Sequence, residues 1–197
     1  VVVAGSLSPQ NTQEHYETVV QAGVDVFVIR GASVSAEHIS TSHEPLNLKK
    51  FIYELDVPVM VGGVAGYSQA KHLMRTGAAG VLVGFGGGSA MTTRKGLGIS
   101  APMATAIADV AAARSDYMDE SGGRYVHVIA DGGLSRSGDL VKALALGADA
   151  VMIGAPLARA SEAPGQGWYW GNEAHSRDFP RGVRTPLGVV GTLEEVL

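Results

Sequence analysis

The 197-residue sequence contains no cysteine. That absence removes disulfides, thiolate metal ligands and thiol nucleophiles together, as a matter of atoms. Positive charge is not in excess: 15 Lys and Arg stand against 19 Asp and Glu, a formal net charge of -4, so nothing points to nucleic acid as a partner. No apolar run reaches the length of a membrane span, and no charged-then-apolar leader precedes a small-residue cleavage site. A cytoplasmic protein without a membrane partner is expected. The six histidines, His15, His38, His43, His72, His127 and His175, fall at no metal-ligand spacing, and no metal is expected.

Glycine is abundant, with 27 residues and no G-x-y period, so it serves turns and ligand loops rather than fibres. A hydrophobic content of 46% over this length suits one domain, residues 1–197, with a well-buried core. Three segments share one design: AGVDVFVIRG (22–31), TGAAGVLVGFG (76–86) and LGADAVMIGAP (146–156). Each sets a glycine before an apolar run that ends at another glycine or a turn, as a buried parallel strand does after a helix. DVPVMVGGVAG (56–66), YVHVIADGG (125–133) and the opening VVVAGS bring the expected strands to six.

Helix punctuation lies between them. Ser8 and Pro9 form a cap and first turn before a segment ending at Gly23. Ser137 precedes GDLVKALALG, and APMATAIADVAAARSDYMDESGG spells a long helix stopped by Gly122 and Gly123. Thr192 and Glu195 stand at capping-box spacing. Strand, helix and strand in repetition imply a parallel sheet with helical crossovers. Glycine turns after several successive strands favour a (β/α)8 TIM barrel over a doubly wound sheet. Six of eight βα units are then present, and the sequence is expected to be a piece of a longer protein. Residues 161–186, which hold both tryptophans and lack a steady period, are expected to form a mobile loop or flap.

Three glycine-rich turns follow the last three main strands: GFGGGS (84–89), ADGGLSRSGD (130–139) and IGAP (153–156). Strand C-termini of a parallel barrel share one face, so these turns would surround one pocket whose free N–H groups attract phosphate. The plainer reading is that such glycines only make tight βα turns. Asp131 ends an apolar strand, where ribose hydroxyls would satisfy its carboxylate; capping the turn or pairing with Arg136 would also do so. Ser89, Thr92 and Thr93 add hydroxyls to the first loop, where capping of the following turn also accounts for the threonines. Asp119 and Glu120 at a helix end, and Glu194 and Glu195 at a helix start, are explained by solvation and capping.

GFGGGSAMTTR, VIADGGLSRSGDLVKALALGADAVMIGAPLA and SEAPG resemble the catalytic loop and the seventh- and eighth-strand motifs of the IMP dehydrogenase and GMP reductase family. The likeness runs from VVVAGS as a third strand to VVGTLEEVL. It is nearest to the bacterial IMP dehydrogenase-related subgroup, which shares SPQN, VSAEH, EPLNLK and LMRTGAAGV with small changes. The resemblance implies a TIM barrel, a homo-oligomer of tetramer type, a purine nucleoside monophosphate (IMP, GMP or XMP) as substrate, and NAD or NADP as hydride partner. It gives the 5′-phosphate to Ser89, Gly133, Gly154 and the Ala155 position, the ribose to Asp131, and the base to Met152.

Departures from that pattern matter as much. Met91 stands where the family has its attacking cysteine, and a thioether has no proton to lose and forms no covalent intermediate. No catalytic residue is therefore assigned, with Thr93 the candidate hydroxyl beside it. Arg30 stands at a cofactor-binding aspartate of the dehydrogenases, Gly63 at an asparagine beside the base, and Ala155 at a phosphate-binding serine. The 161–186 loop lacks the Arg-Tyr pair that activates water. Three readings stay open: a purine-nucleotide oxidoreductase of altered mechanism or with reacting groups from absent segments, a catalytically silent purine-nucleotide-binding regulatory protein, and a different phosphate-barrel enzyme, flavin-dependent or acting on a sugar phosphate.

Overall fold

The computed structural model describes residues 1–31, 34, 45–170 and 184–196. Six parallel strands lie side by side in chain order: β1 (Ala4–Leu7), β2 (Val26–Arg30), β3 (Val59–Val64), β4 (Gly80–Val83), β5 (His127–Asp131) and β6 (Ala150–Met152). They are the six strands expected from the apolar runs. The order never reverses, as it must in a doubly wound sheet, so the topology is that of a TIM barrel cut open between β1 and β6.

Helices fill the crossovers: α1 (Pro9–Gln21), α2 (Leu48–Glu54), α3 (Tyr67–Met74), α4 (Thr93–Leu97), α5 (Met103–Glu120), α6 (Ser137–Ala145) and α7 (Ala155–Ala158). Beyond them a two-stranded ribbon pairs β7 (Trp168–Tyr169) with β8 (Thr185–Pro186), and one turn of helix, α8 (Leu193–Val196), follows. None of the described helices is long and apolar enough to cross a membrane.

The two faces of the sheet carry different cores. On the outer face Phe27, Ile29, Val59, Val61, Val81, Val83 and Val128 pack under the helices in one large cluster. Alternate residues of the same strands, Val28, Leu82 and Ile129 with Val26, Met60 and Met152, form a smaller cluster on the inner face. This is the period-2 consequence of a strand buried on both sides, and it explains why the runs read as unbroken apolar stretches. The long helix α5 buries Ala106, Ile107, Val110, Ala113 and Tyr117, the spacing of a single helical stripe, and the small alanines let it lie close to its neighbours.

Helix ends follow the expected punctuation with two differences. Pro9 opens α1 as foreseen, while Ser8 contributes its backbone carbonyl, which accepts from the Thr12 hydroxyl at 2.8 Å. Ser137 is the first residue of α6, with Arg136 in the cap position. Gly122 and Gly123, at φ 73° and 103°, end α5 where no side chain is welcome. Glu195 reaches back to the Thr192 N–H at 2.8 Å, the acidic half of the capping box. Glu120 does more than solvate a helix end: it accepts from Nε and Nη2 of Arg75 at 2.7 and 2.8 Å and lies 3.2 Å from Lys71 Nζ, tying α5 to α3. The two arginine bonds and the lysine hold its pKa down at about 2.

The expected flap is described only in part. Residues 161–170 and 184–186 carry the ribbon β7–β8 and its approach, and 171–183 lie outside the described residues.

Candidate functional site

The mouth of the barrel, at the C-terminal ends of β4 to β6, is built by close approach of backbone to backbone. All four residues of β4 are buried, and the strand runs into Gly84 at φ 153°. A Cβ on Gly84 would stand 1.9 Å from the Asp131 carbonyl oxygen, so only glycine fits there. Three residues on, the contact repeats: a Cβ on Gly87 would meet Gly132 at 3.3 Å, and one on Gly133 would meet the Gly87 carbonyl oxygen at 3.0 Å. The turns after β4 and β5 are thus pressed together. Ser89 and Gly133, two of the expected phosphate contacts, lie exposed on these adjoining turns.

Behind Ser89 the loop turns sharply, with the Met91 N–H donating to the Gly88 carbonyl at 3.0 Å. Ala90 is buried, and Met91 is half-buried with its Cγ against Gly88. The position where the resemblance expects an attacking cysteine therefore holds a half-buried methionine side chain. Thr92 occupies the cap position of the short α4, and Thr93 lies against Gly86, whose φ of 66° lets the loop fold over it.

The third turn sits on the next strand. Asp131 and Met152 are register partners, so Gly154 and Ala155 leave β6 at the same rim. The nearest atoms to a Cβ on Gly154 all belong to Tyr169, whose hydroxyl would be 2.5 Å away. The ribbon thus lays a phenol over the turn expected to hold phosphate. Tyr169 was not among the residues singled out in the sequence, yet the W-Y-W alternation around it is a strand signal that sends Tyr169 to one side and the tryptophans to the other. On that other side the Arg184 guanidinium lies over both Trp168 and Trp170, at 5.2 and 5.3 Å from the ring centroids.

Asp131 has a partner that its sequence neighbourhood does not offer. Arg30, at the end of β2, donates through Nε and Nη2 to the two carboxylate oxygens at 2.7 and 2.9 Å. Arg136, the nearby candidate, instead takes the cap position of α6. Three strand spacings separate β2 from β5, about 14 Å on a flat sheet. The two-point bond therefore reports the inward curl of the sheet. Arg30 follows Val26 and Val28, and Asp131 follows His127 and Ile129, on the alternation that points into the barrel. Side-chain exposures of 29% and 11% put the pair at the mouth, above the apolar floor of Val28, Leu82, Ile129 and Met152.

A cavity of about 410 Å³ lies behind the first two turns, between α5 and α6, with Gly87, Gly133, Met103, Leu134, Arg94 and Lys142 among its walls. Among the described residues no group of three His, Cys, Asp or Glu is placed to hold a metal ion.

Comparison with known proteins gives the same architecture. Residues 1–179 match the family model described as IMP dehydrogenase / GMP reductase domain. An uncharacterized oxidoreductase of Mycolicibacterium smegmatis is 56% identical over 200 residues, covering 100% of this chain and 53% of the relative. Inosine-5′-monophosphate dehydrogenase of Thermoplasma acidophilum is 40% identical over 166 residues, covering 84% of this chain and 32% of that enzyme. The crystal structure of an IMP dehydrogenase/GMP reductase-like protein from Corynebacterium glutamicum superposes with a TM-score of 0.85 at 56% identity, covering 94% of this chain and 48% of that one. The chain thus spans about half the length of the nearer relatives it matches.

Proposed function

We propose a function on one premise: this chain belongs to the IMP dehydrogenase / GMP reductase family. Its barrel mouth binds a purine nucleoside monophosphate, IMP, GMP or XMP. The 5′-phosphate lies on the turns carrying Ser89, Gly133 and Gly154–Ala155, the ribose hydroxyls on Asp131, and the base beside Met152.

The observation that carries this reading is the backbone contact between the β4 and β5 turns directly beside Asp131. Where chains approach this closely, side chains cannot shield the amides, and an anion can reach several N–H groups at once. The Arg30 bond does not disqualify Asp131. A carboxylate offers about four lone-pair positions, and the guanidinium takes two, one on each oxygen. Two remain for vicinal hydroxyls, and Arg30 holds the carboxylate in place to receive them.

The family's oxidoreductase chemistry brings with it a nicotinamide cofactor, NAD or NADP. The residues present do not fit its ordinary use. Met91, packed against Gly88, cannot attack the purine. Arg30, at the position where the resemblance places a cofactor-binding acid, is a cation already bonded to the ribose carboxylate. That misfit favours a purine-nucleotide-binding protein of regulatory type over an ordinary dehydrogenase or reductase. By family resemblance it works as a homo-oligomer in the cytoplasm.

Calorimetric titration with IMP, GMP and XMP tests the proposal. Binding of at least one, weakened by Asp131→Asn, is expected. Absence of heat with all three would overturn it.

A further inference from the structure

A cavity of about 710 Å³ lies away from the glycine turns of the mouth, beside α2. Its walls come from three places: Asn47, Lys49, Lys50, Ile52 and Tyr53 of α2 and its cap, Arg75, Thr76 and Gly77 after α3, and Arg124 before β5. Gly77 precedes β4 and Gly84 follows it, so the whole strand separates this cavity from the glycine turns of the mouth.

Four of the lining residues are cations and none is acidic, on a chain whose net charge is -4. Neighbouring acids neutralise only part of that charge. Glu54 lies 3.9 Å from Lys50 Nζ, and Glu120 engages Nε and Nη2 of Arg75, leaving the Nη1 amino group of Arg75 outside that bond. Arg124 is fixed in place: its Nη2 donates to the Gly77 and Ala78 carbonyls, and its Nη1 reaches the Tyr117 hydroxyl at 3.4 Å. Its Nε–H is not used in these bonds. Gly77, at φ 102°, keeps the floor low between Ile52 and Arg124. Tyr53 stands one helical turn from both lysines and is 90% exposed, so the faces of its ring are open to a planar partner.

We propose that this cavity is a second ligand site, for a nucleoside di- or triphosphate. The phosphates lie on Lys49, Lys50, Arg75 and Arg124, and the base stacks on Tyr53. Guanidinium and ammonium groups converging on one volume select a ligand with several negative charges, and charge-assisted bonds to phosphate are the strong ones. The volume falls within the 300–1,000 Å³ or so of small-molecule sites. Cations converging from three separate parts of the chain on one open pocket, with a single aromatic ring at its rim, suit a compact anion with a flat ring better than an extended acidic peptide.

The test is calorimetric titration of the folded protein with ATP, GTP and inorganic tripolyphosphate. Lys49→Ala/Lys50→Ala and Tyr53→Leu are suitable variants, because all three side chains are exposed and their removal leaves the core intact. A nucleoside triphosphate is expected to bind more tightly than tripolyphosphate. The double lysine variant should weaken both by at least about tenfold, and Tyr53→Leu should weaken the nucleotide alone. Binding of neither probe overturns the site. So does nucleotide binding that survives the lysine changes and is displaced by IMP, which would place it at the mouth. Equal affinity for the two probes, indifferent to Tyr53→Leu, overturns the nucleotide assignment. None of these outcomes depends on whether a monophosphate binds at the mouth.

Discussion

Arg30 and Asp131, 101 residues apart in the chain, close a two-point ion pair across the barrel mouth at 2.7 and 2.9 Å. The pair is only partly exposed, so removing one member leaves the other poorly solvated. Arg30→Met is expected to lower unfolding stability by about 1–3 kcal/mol and to weaken nucleotide monophosphate binding, since Asp131 loses the group that orients it. Urea denaturation and titration of the same variant check both. A variant as stable as the parent that binds as well would show that the pair holds nothing in place.

The glycine turns predict a second, purely steric effect. Alanine at position 84 would force a Cβ to within 1.9 Å of the Asp131 carbonyl oxygen, on a backbone at φ 153°. Gly84→Ala is expected to cost at least about 2 kcal/mol of stability. Gly138→Ala is the control, because nothing lies within 4 Å of its Cβ position and it sits inside α6. It should be neutral or slightly stabilising by the same denaturation measurement.

Acid stability should depend on Glu120. Its carboxyl pKa is lowered to about 2 by the bonds from Arg75 and Lys71. A depressed acid pKa contributes stability above the unfolded-state value, near 4.3, and loses that contribution as pH falls through the folded value. The relevant window is therefore roughly pH 4.3 down to pH 2. Glu120→Gln should flatten the loss of melting temperature across that window, while at pH 7 it should be less stable than the parent. Parallel melting profiles for the two proteins would contradict this.

Position 91 offers a chemical test. Met91→Cys introduces a thiol into the loop, yet Arg30, where the resemblance places a cofactor-binding acid, still bonds Asp131. Little or no NADH formation from IMP is expected from this single change, followed by absorbance at 340 nm. Brisk turnover would mean that the cysteine alone separates this chain from the dehydrogenases.

Much of this molecule is legible in its sequence, for a physical reason. Strands buried on both faces need apolar residues at every position, so VFVIR, GVLV and HVIAD stand out without any partner being known. Gly84 and Gly133 mark the mouth because a side chain there would be strained by both φ and close contact, and Gly87 because its Cβ would press on Gly132. Arg30 could not be matched to Asp131 in the same way. Their meeting depends on the curl of a six-stranded sheet, whereas Arg136 is merely near in the chain. Glu120 likewise finds Arg75 only after α5 is laid against α3. Tyr169 was within reach, since the alternation of WYW already separates it from its neighbours, but its position over Gly154 follows from the ribbon's path back to the barrel rim.

The nucleotide-bound crystal structure, solved with IMP, GMP or XMP, is the most direct measurement. The 5′-phosphate should lie within hydrogen-bond distance of the turns at Ser89, Gly133 and Gly154, with the ribose on Asp131 and the Arg30 bond still formed. A nucleotide seated away from these turns, or a mouth left without ligand at saturating concentration, would contradict the proposed site.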